Sequence, residues 1–194
     1  PCATPARMPE QKMQHLLRYF VLLLLALGCS DTRPPRVETA ASAPPIAVWV
    51  GPGVHPGARQ AIDAWAFTTK GVRDWAFVGD PGDAVIRMSV VDIGAEYCKY
   101  PGMLACVSEI GGAWHGKPID VWFVAGQYEG ALPLVGMHEI GHTLGLTHQD
   151  FTIMQAKVGG EWAGRRWQCP DPVSVARLES ELGLEGLRSC EIPE

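Results

Sequence analysis

The segment His138-Glu-Ile-Gly-His-Thr-Leu-Gly-Leu-Thr-His148 constrains this chain more than any other feature. His138 and His142 are four residues apart, one turn of α-helix, so a helix projects both imidazoles from one face. Two ring nitrogens placed in this way can share one Zn²⁺. Glu139 adjoins the first of them but points about 100° around the helix, where its carboxylate reaches water on the metal without ligating the metal itself. Gly145 stands where the helix has to stop, because glycine takes the left-handed conformation that reverses the chain. The reversal brings back His148 as a third ligand. Three protein ligands leave a fourth position for water, the pattern of a catalytic zinc site, whereas a structural site is closed by four. Such a zinc lowers the pKa of its water to about 7 and polarises a carbonyl oxygen. Glu139 would take the water's proton and pass it to a leaving amine, hydrolysing a peptide bond with no covalent intermediate.

Around this segment the chain alternates short apolar runs with helical patterns. Ile46–Val50 (IAVWV) reads as a buried strand. Pro56 opens a helix in which Ala58, Ala61, Ile62 and Trp65 share a face. Strands are expected at Trp75–Val78, Ala84–Val91, Leu104–Ile110 and Ile119–Val124, with a turn at Asp80–Asp83 and another around Trp114–Lys117. A helix is expected over roughly Ala131–Leu144, then irregular chain to Pro170. Asp171 is placed as the N-cap of a last helix carrying Val173, Val175, Leu178 and Leu182. No internal repeat is visible. Trp49, Trp65, Trp75 and Trp122 read as core, and His55 and His115 as surface residues. Asp92 and Asp150 could serve a calcium site, although nothing in their spacing requires one.

The eleven-residue histidine segment resembles the signature of the metzincin clan of zinc endopeptidases, and Phe151-Thr-Ile-Met154-Gln resembles that clan's methionine turn. The order of strands and helices is also similar. The resemblance implies an α+β zincin-like catalytic domain over residues 46–194, with a mixed five-stranded sheet, an active-site helix and a C-terminal helix. It implies that His138, His142 and His148 hold one catalytic zinc, that Glu139 is the general base, and that Met154 packs below the histidines as a soft apolar floor. It further implies that an edge strand pairs with a peptide substrate by main-chain bonds. By order that strand is Leu104, Ala105, Cys106 and Val107, running on to Glu109. Trp162 and Trp167, in the loop from Lys157 to Cys169, would wall the pocket beyond the scissile bond. Five residues separate His148 from Met154, a short link for the clan, and Gln155 and Ala156 follow where several subfamilies carry a tyrosine, so no subfamily is assigned.

The N-terminal part reads as an address. Met13 is a reasonable initiator, and Tyr19–Leu27 forms an apolar core of signal-peptide length ending at Gly28 and Cys29. This end resembles the lipobox of bacterial lipoproteins, which implies lipidation at Cys29, a membrane anchor and, with Ser30 following, outer-membrane sorting. Residues 1–28 are thus upstream residues and signal peptide, and 29–45, rich in Pro, Ser, Thr and Ala, a tether. The remaining cysteines, Cys98, Cys106, Cys169 and Cys190, allow three pairings in an exported chain. The local one, Cys98 with Cys106 and Cys169 with Cys190, is favoured because each bond would staple a short loop. With 47% hydrophobic residues the chain is globular. Its 16 basic and 21 acidic residues, net charge −5 and lack of a basic run argue against a nucleic-acid partner.

The expected partner is a protein or peptide substrate, and the expected state a monomer. Two rival functions fit the same residues: a surface lipoprotein that binds zinc without turnover, and a zinc amidase acting on cell-wall peptide.

Overall fold

The computed structural model describes residues 43–92, 97, 98, 100, 102–156 and 168–190. The signal segment, Cys29, the tether up to residue 42, Trp162 and Trp167 lie outside the described residues.

Five strands form one mixed sheet: β1 (Ile46–Val50), β2 (Trp75–Phe77), β3 (Ile86–Val91), β4 (Ala105–Val107) and β5 (Ile119–Val124), in the order β2-β1-β3-β5-β4. The pairs β1–β2, β1–β3 and β3–β5 are parallel, while β4 runs antiparallel to β5 at the edge. The longest ladder runs from Ile86 opposite Ile119 to Val91 opposite Val124. Parallel neighbours need a crossover between them. The β1–β2 crossover is helix α1 (Gly57–Thr68). Two further helices follow, α2 (Leu134–Leu144) and α3 (Pro172–Leu182), making a mixed α+β architecture.

Alternation in the strands decides which face is covered. Ile46, Val48, Ile86, Met88, Ile119, Val121 and Phe123 are fully buried and pack into one core with α1 and α2. The residues between them, Trp49, Arg87, Asp120 and Trp122, are half-buried on the other face, where Arg87 and Asp120 pair across neighbouring strands. Trp65 is core as expected, whereas Trp49, Trp75 and Trp122 are only half-buried.

β3 starts at Ile86, two residues after the expected Ala84, and β2 ends at Phe77, one before the expected Val78. Two other boundaries differ by three residues. α2 begins at Leu134, not near Ala131, because Pro133 at its start biases the residue before it away from helical backbone. Leu132 is extended (φ −79°, ψ 149°), and Glu129–Ala131 forms a separate 3₁₀ turn. β4 is shorter than Leu104–Ile110. It keeps three residues opposite β5, after which Ser108 bonds to the Asp120 backbone and Gly111 and Gly112 turn the chain at positive φ.

Both disulfides form with the local pairing, Cys98–Cys106 and Cys169–Cys190. Two such bonds mark an exported or extracellular chain. Among the described residues, no helix is long and apolar enough to cross a membrane.

Candidate metal centre

α2 carries the first two histidines, and its placement is set by close packing on α1. A Cβ added to Gly136 would lie 2.8 Å from the Ala61 Cβ, so glycine lets the two helices approach. Buried Trp65 donates its indole N–H to the Met137 carbonyl at 2.8 Å, fixing α2 along its axis. Such a bond is worth about 0.5–1.5 kcal/mol. One turn on, Gly141 faces Met154: an added Cβ would be 2.5 Å from the Met154 sulfur and 3.3 Å from the Trp65 ring. Met154, 1% exposed, therefore lies directly against the helix that carries His138 and His142.

The helix ends as the glycine requires. Gly145 has φ 114° and ψ −5°. Its N–H donates to the His142 carbonyl at 3.0 Å, and the Leu146 N–H donates to Gly141 at 3.0 Å, the paired bonds of a Schellman ending. Leu146 is fully buried, pinning the reversal. His148 then returns to the first two histidines. The side-chain nitrogens of His138, His142 and His148 all lie within 4.8 Å of one another, and the Nε2 atoms of His142 and His148 are 3.2 Å apart. Two nitrogens bound tetrahedrally to one zinc at 2.0–2.1 Å would be about 3.3 Å apart, so the His142–His148 pair already has the spacing such an ion takes. Neither Asp92 nor Asp150 belongs to this cluster.

Two backbone carbonyls orient the first two histidines. His138 Nδ1 bonds to the Ile153 carbonyl at 2.9 Å, and His142 Nδ1 to the Leu146 carbonyl at 2.7 Å. Each carbonyl accepts an N–H, so the proton sits on Nδ1 and Nε2 is left with the lone pair that a metal needs. His148 is exposed. The Thr147 hydroxyl beside it accepts a 2.6 Å bond from Arg177 of α3.

Burial sets the charge states. Desolvation, then the neighbouring His142, lowers the pKa of His138 to about 4, and desolvation lowers that of His142. Glu139 is 6% exposed, and desolvation raises its pKa to about 8. A nearby divalent cation would oppose that shift by favouring the carboxylate. The lowered histidines predict a pH dependence of metal binding. At pH 5.5, proton competition costs about tenfold in affinity for each ligand titrating at an ordinary 6.5. His138 escapes this, since it stays neutral until pH approaches 4. Zinc affinity should therefore fall between pH 8 and 5.5 by at least about tenfold less than for three ordinary imidazoles. Competition titrations with a chromophoric chelator across that range test it.

The histidines and Glu139 open into a cleft of about 770 Å³. Leu104, Ala105, Cys106 and Val107 line it together with Val135, His138, Glu139, His142 and His148. The Gly111 N–H donates to the His142 carbonyl at 2.8 Å, tying the chain after β4 to α2. Tyr100, Ile110 and Gln155 also line the cleft and were not singled out from the sequence. The carbonyls of Ile153 and Leu146 have no sequence signal, because every residue carries one.

No protein-family model matches the chain, and no curated protein matches it by sequence.

Proposed function

We propose that the protein is a zinc-dependent endopeptidase of metzincin type, exported and held at a membrane by a lipid on Cys29. The observation that carries this reading is the arrangement of His138, His142 and His148 around one point, with Nδ1 of the first two tied to carbonyls and Glu139 in the same cleft. When bound there, zinc supplies Lewis-acid polarisation of a carbonyl oxygen and acidifies water. Glu139 accepts the proton of the attacking water at its carboxylate and delivers it to the leaving nitrogen. Its burial keeps bulk water from competing for that proton. The buried core beneath α2, including Met137, Ile140 and Met154, fixes the ligands before substrate arrives.

β4 is the substrate rim in this reading. It sits at the end of the strand order, with β5 on one side and no strand on the other among the described residues. An edge strand of this kind can pair on its open side with an extended peptide. A substrate held there would lie along the cleft that the histidines line. The test is peptide-library cleavage with and without a chelator: cleavage that the chelator abolishes and zinc restores supports the reading. Robust cleavage unaffected by zinc removal would reject it.

The rim carries its own brace. Cys106 of β4 is bonded to Cys98, and Tyr97 stacks on Trp122 of β5 at 4.6 Å. Replacing both Cys98 and Cys106 by alanine should cost roughly 2 kcal/mol of stability for a loop this short. It should raise KM several-fold while zinc content stays at the wild-type level. An unchanged KM would show that the bond does not hold the rim for substrate.

A further inference from the structure

We infer that Asp171 is a positioning residue for the metal centre, setting the ligating geometry of His138 from the N-terminal end of α3. The inference rests on the zinc reading of the three histidines. Asp171 is the N-cap of α3, and one carboxylate oxygen does that work: Oδ1 accepts the N–H groups of Val173 at 3.0 Å and Ser174 at 2.9 Å. The second oxygen faces away from the helix backbone. Oδ2 accepts the Ile153 N–H at 2.9 Å and the Ser174 hydroxyl at 2.7 Å. Ile153 is the residue whose carbonyl accepts from His138 Nδ1. A single residue is thus held at its N–H by Asp171 and holds a ligand at its carbonyl.

A cap alone does not require this arrangement. Serine or threonine caps a helix about as well as aspartate, with one oxygen. The second oxygen is what makes aspartate specific here. Asp171 is 1% exposed, Ile153 2% and His138 7%, so the whole chain of contacts is shielded from water that could replace a lost bond. Without Oδ2, the Ile153 N–H would be buried without a partner, and the segment would have to shift to satisfy it. That shift moves the carbonyl, and with it the ring plane of His138. Partners one step out from a metal ligand commonly govern affinity by 10–100-fold.

Asp171→Ser separates the two duties, because serine keeps a cap oxygen and cannot also reach Ile153. Asp171→Asn keeps the size and the cap oxygen but turns an N–H₂ toward the Ile153 N–H. Ser174→Ala removes one bond to Oδ2 and leaves the Ile153 bond in place. Zinc affinity by chelator competition and the visible spectrum of the cobalt(II)-loaded protein are read for all of them. The expected result is an affinity roughly 10–100-fold lower and an altered cobalt spectrum in the Asp171 variants that fold. Ser174→Ala should match the wild type in both, even where its Tm falls. Folded Asp171→Ser or Asp171→Asn with wild-type affinity and cobalt spectrum would overturn the inference. Wild-type protein that takes up neither metal would instead overturn the zinc reading on which it rests.

Discussion

Glu139→Gln should retain one zinc per chain and lose peptide cleavage by about a hundredfold to ten-thousandfold, the usual contribution of a positioned general base. Glutamine has the shape of glutamate and leaves the three histidines untouched, but its amide cannot accept the proton. Stability should not confuse the result. Burial works against the ionised form of Glu139, pushing its pKa up to about 8. Replacing it with a neutral amide in the metal-free protein removes that cost, so the variant should fold at least as well as the wild type. Loss of turnover without loss of zinc or Tm is then a chemical effect. Wild-type turnover in the variant would remove Glu139 from the reaction.

The second large effect concerns Gly141, between the two histidines of α2. Alanine is favoured over glycine in a helix interior by about 1 kcal/mol, so propensity alone predicts stabilisation. Packing predicts the reverse. The new Cβ would sit 2.5 Å from the Met154 sulfur, with the Trp65 ring 3.3 Å away. Overfilling a core of this density typically costs 1–3 kcal/mol, and here the atoms that must move pack against the helical turn between His138 and His142. Gly141→Ala should therefore lower Tm and weaken zinc binding together. In a Met154→Ala background the space is vacated, and Gly141→Ala should become neutral or stabilising relative to that variant. The double-mutant cycle measures this coupling. Additive effects of the two substitutions would show that the glycine is not there to admit the methionine.

Much of this was legible in the sequence because it depends on local backbone rules. The i, i+4 spacing of His138 and His142, the stop at Gly145 and the Asp171 cap each follow from a few neighbouring residues. Burial in β1, β3 and β5 could be read from apolar runs. The expected start of α2 near Ala131 lies three residues before the observed Leu134, because Pro133 acts through the backbone of Leu132, which is extended. The expected β4 is too long because its end is set by its partners on β5, a separate segment of the chain.

The least legible contacts are those joining distant segments through groups that every residue has. The Ile153 carbonyl at His138 and the Gly111 N–H at His142 are examples. Gly141 shows the same for a side chain that is absent: its reason lies thirteen residues away, in Met154. The second duty of Asp171 was hidden because one carboxylate oxygen already explained its place before α3.

The most direct test of the central claim is X-ray absorption at the zinc edge on protein loaded with one equivalent of zinc. An open three-histidine site predicts three imidazole nitrogens at about 2.0–2.1 Å and one further light scatterer, with the imidazole signal reduced in His148→Ala. A site closed by four protein ligands, or zinc bound without His148, would contradict it.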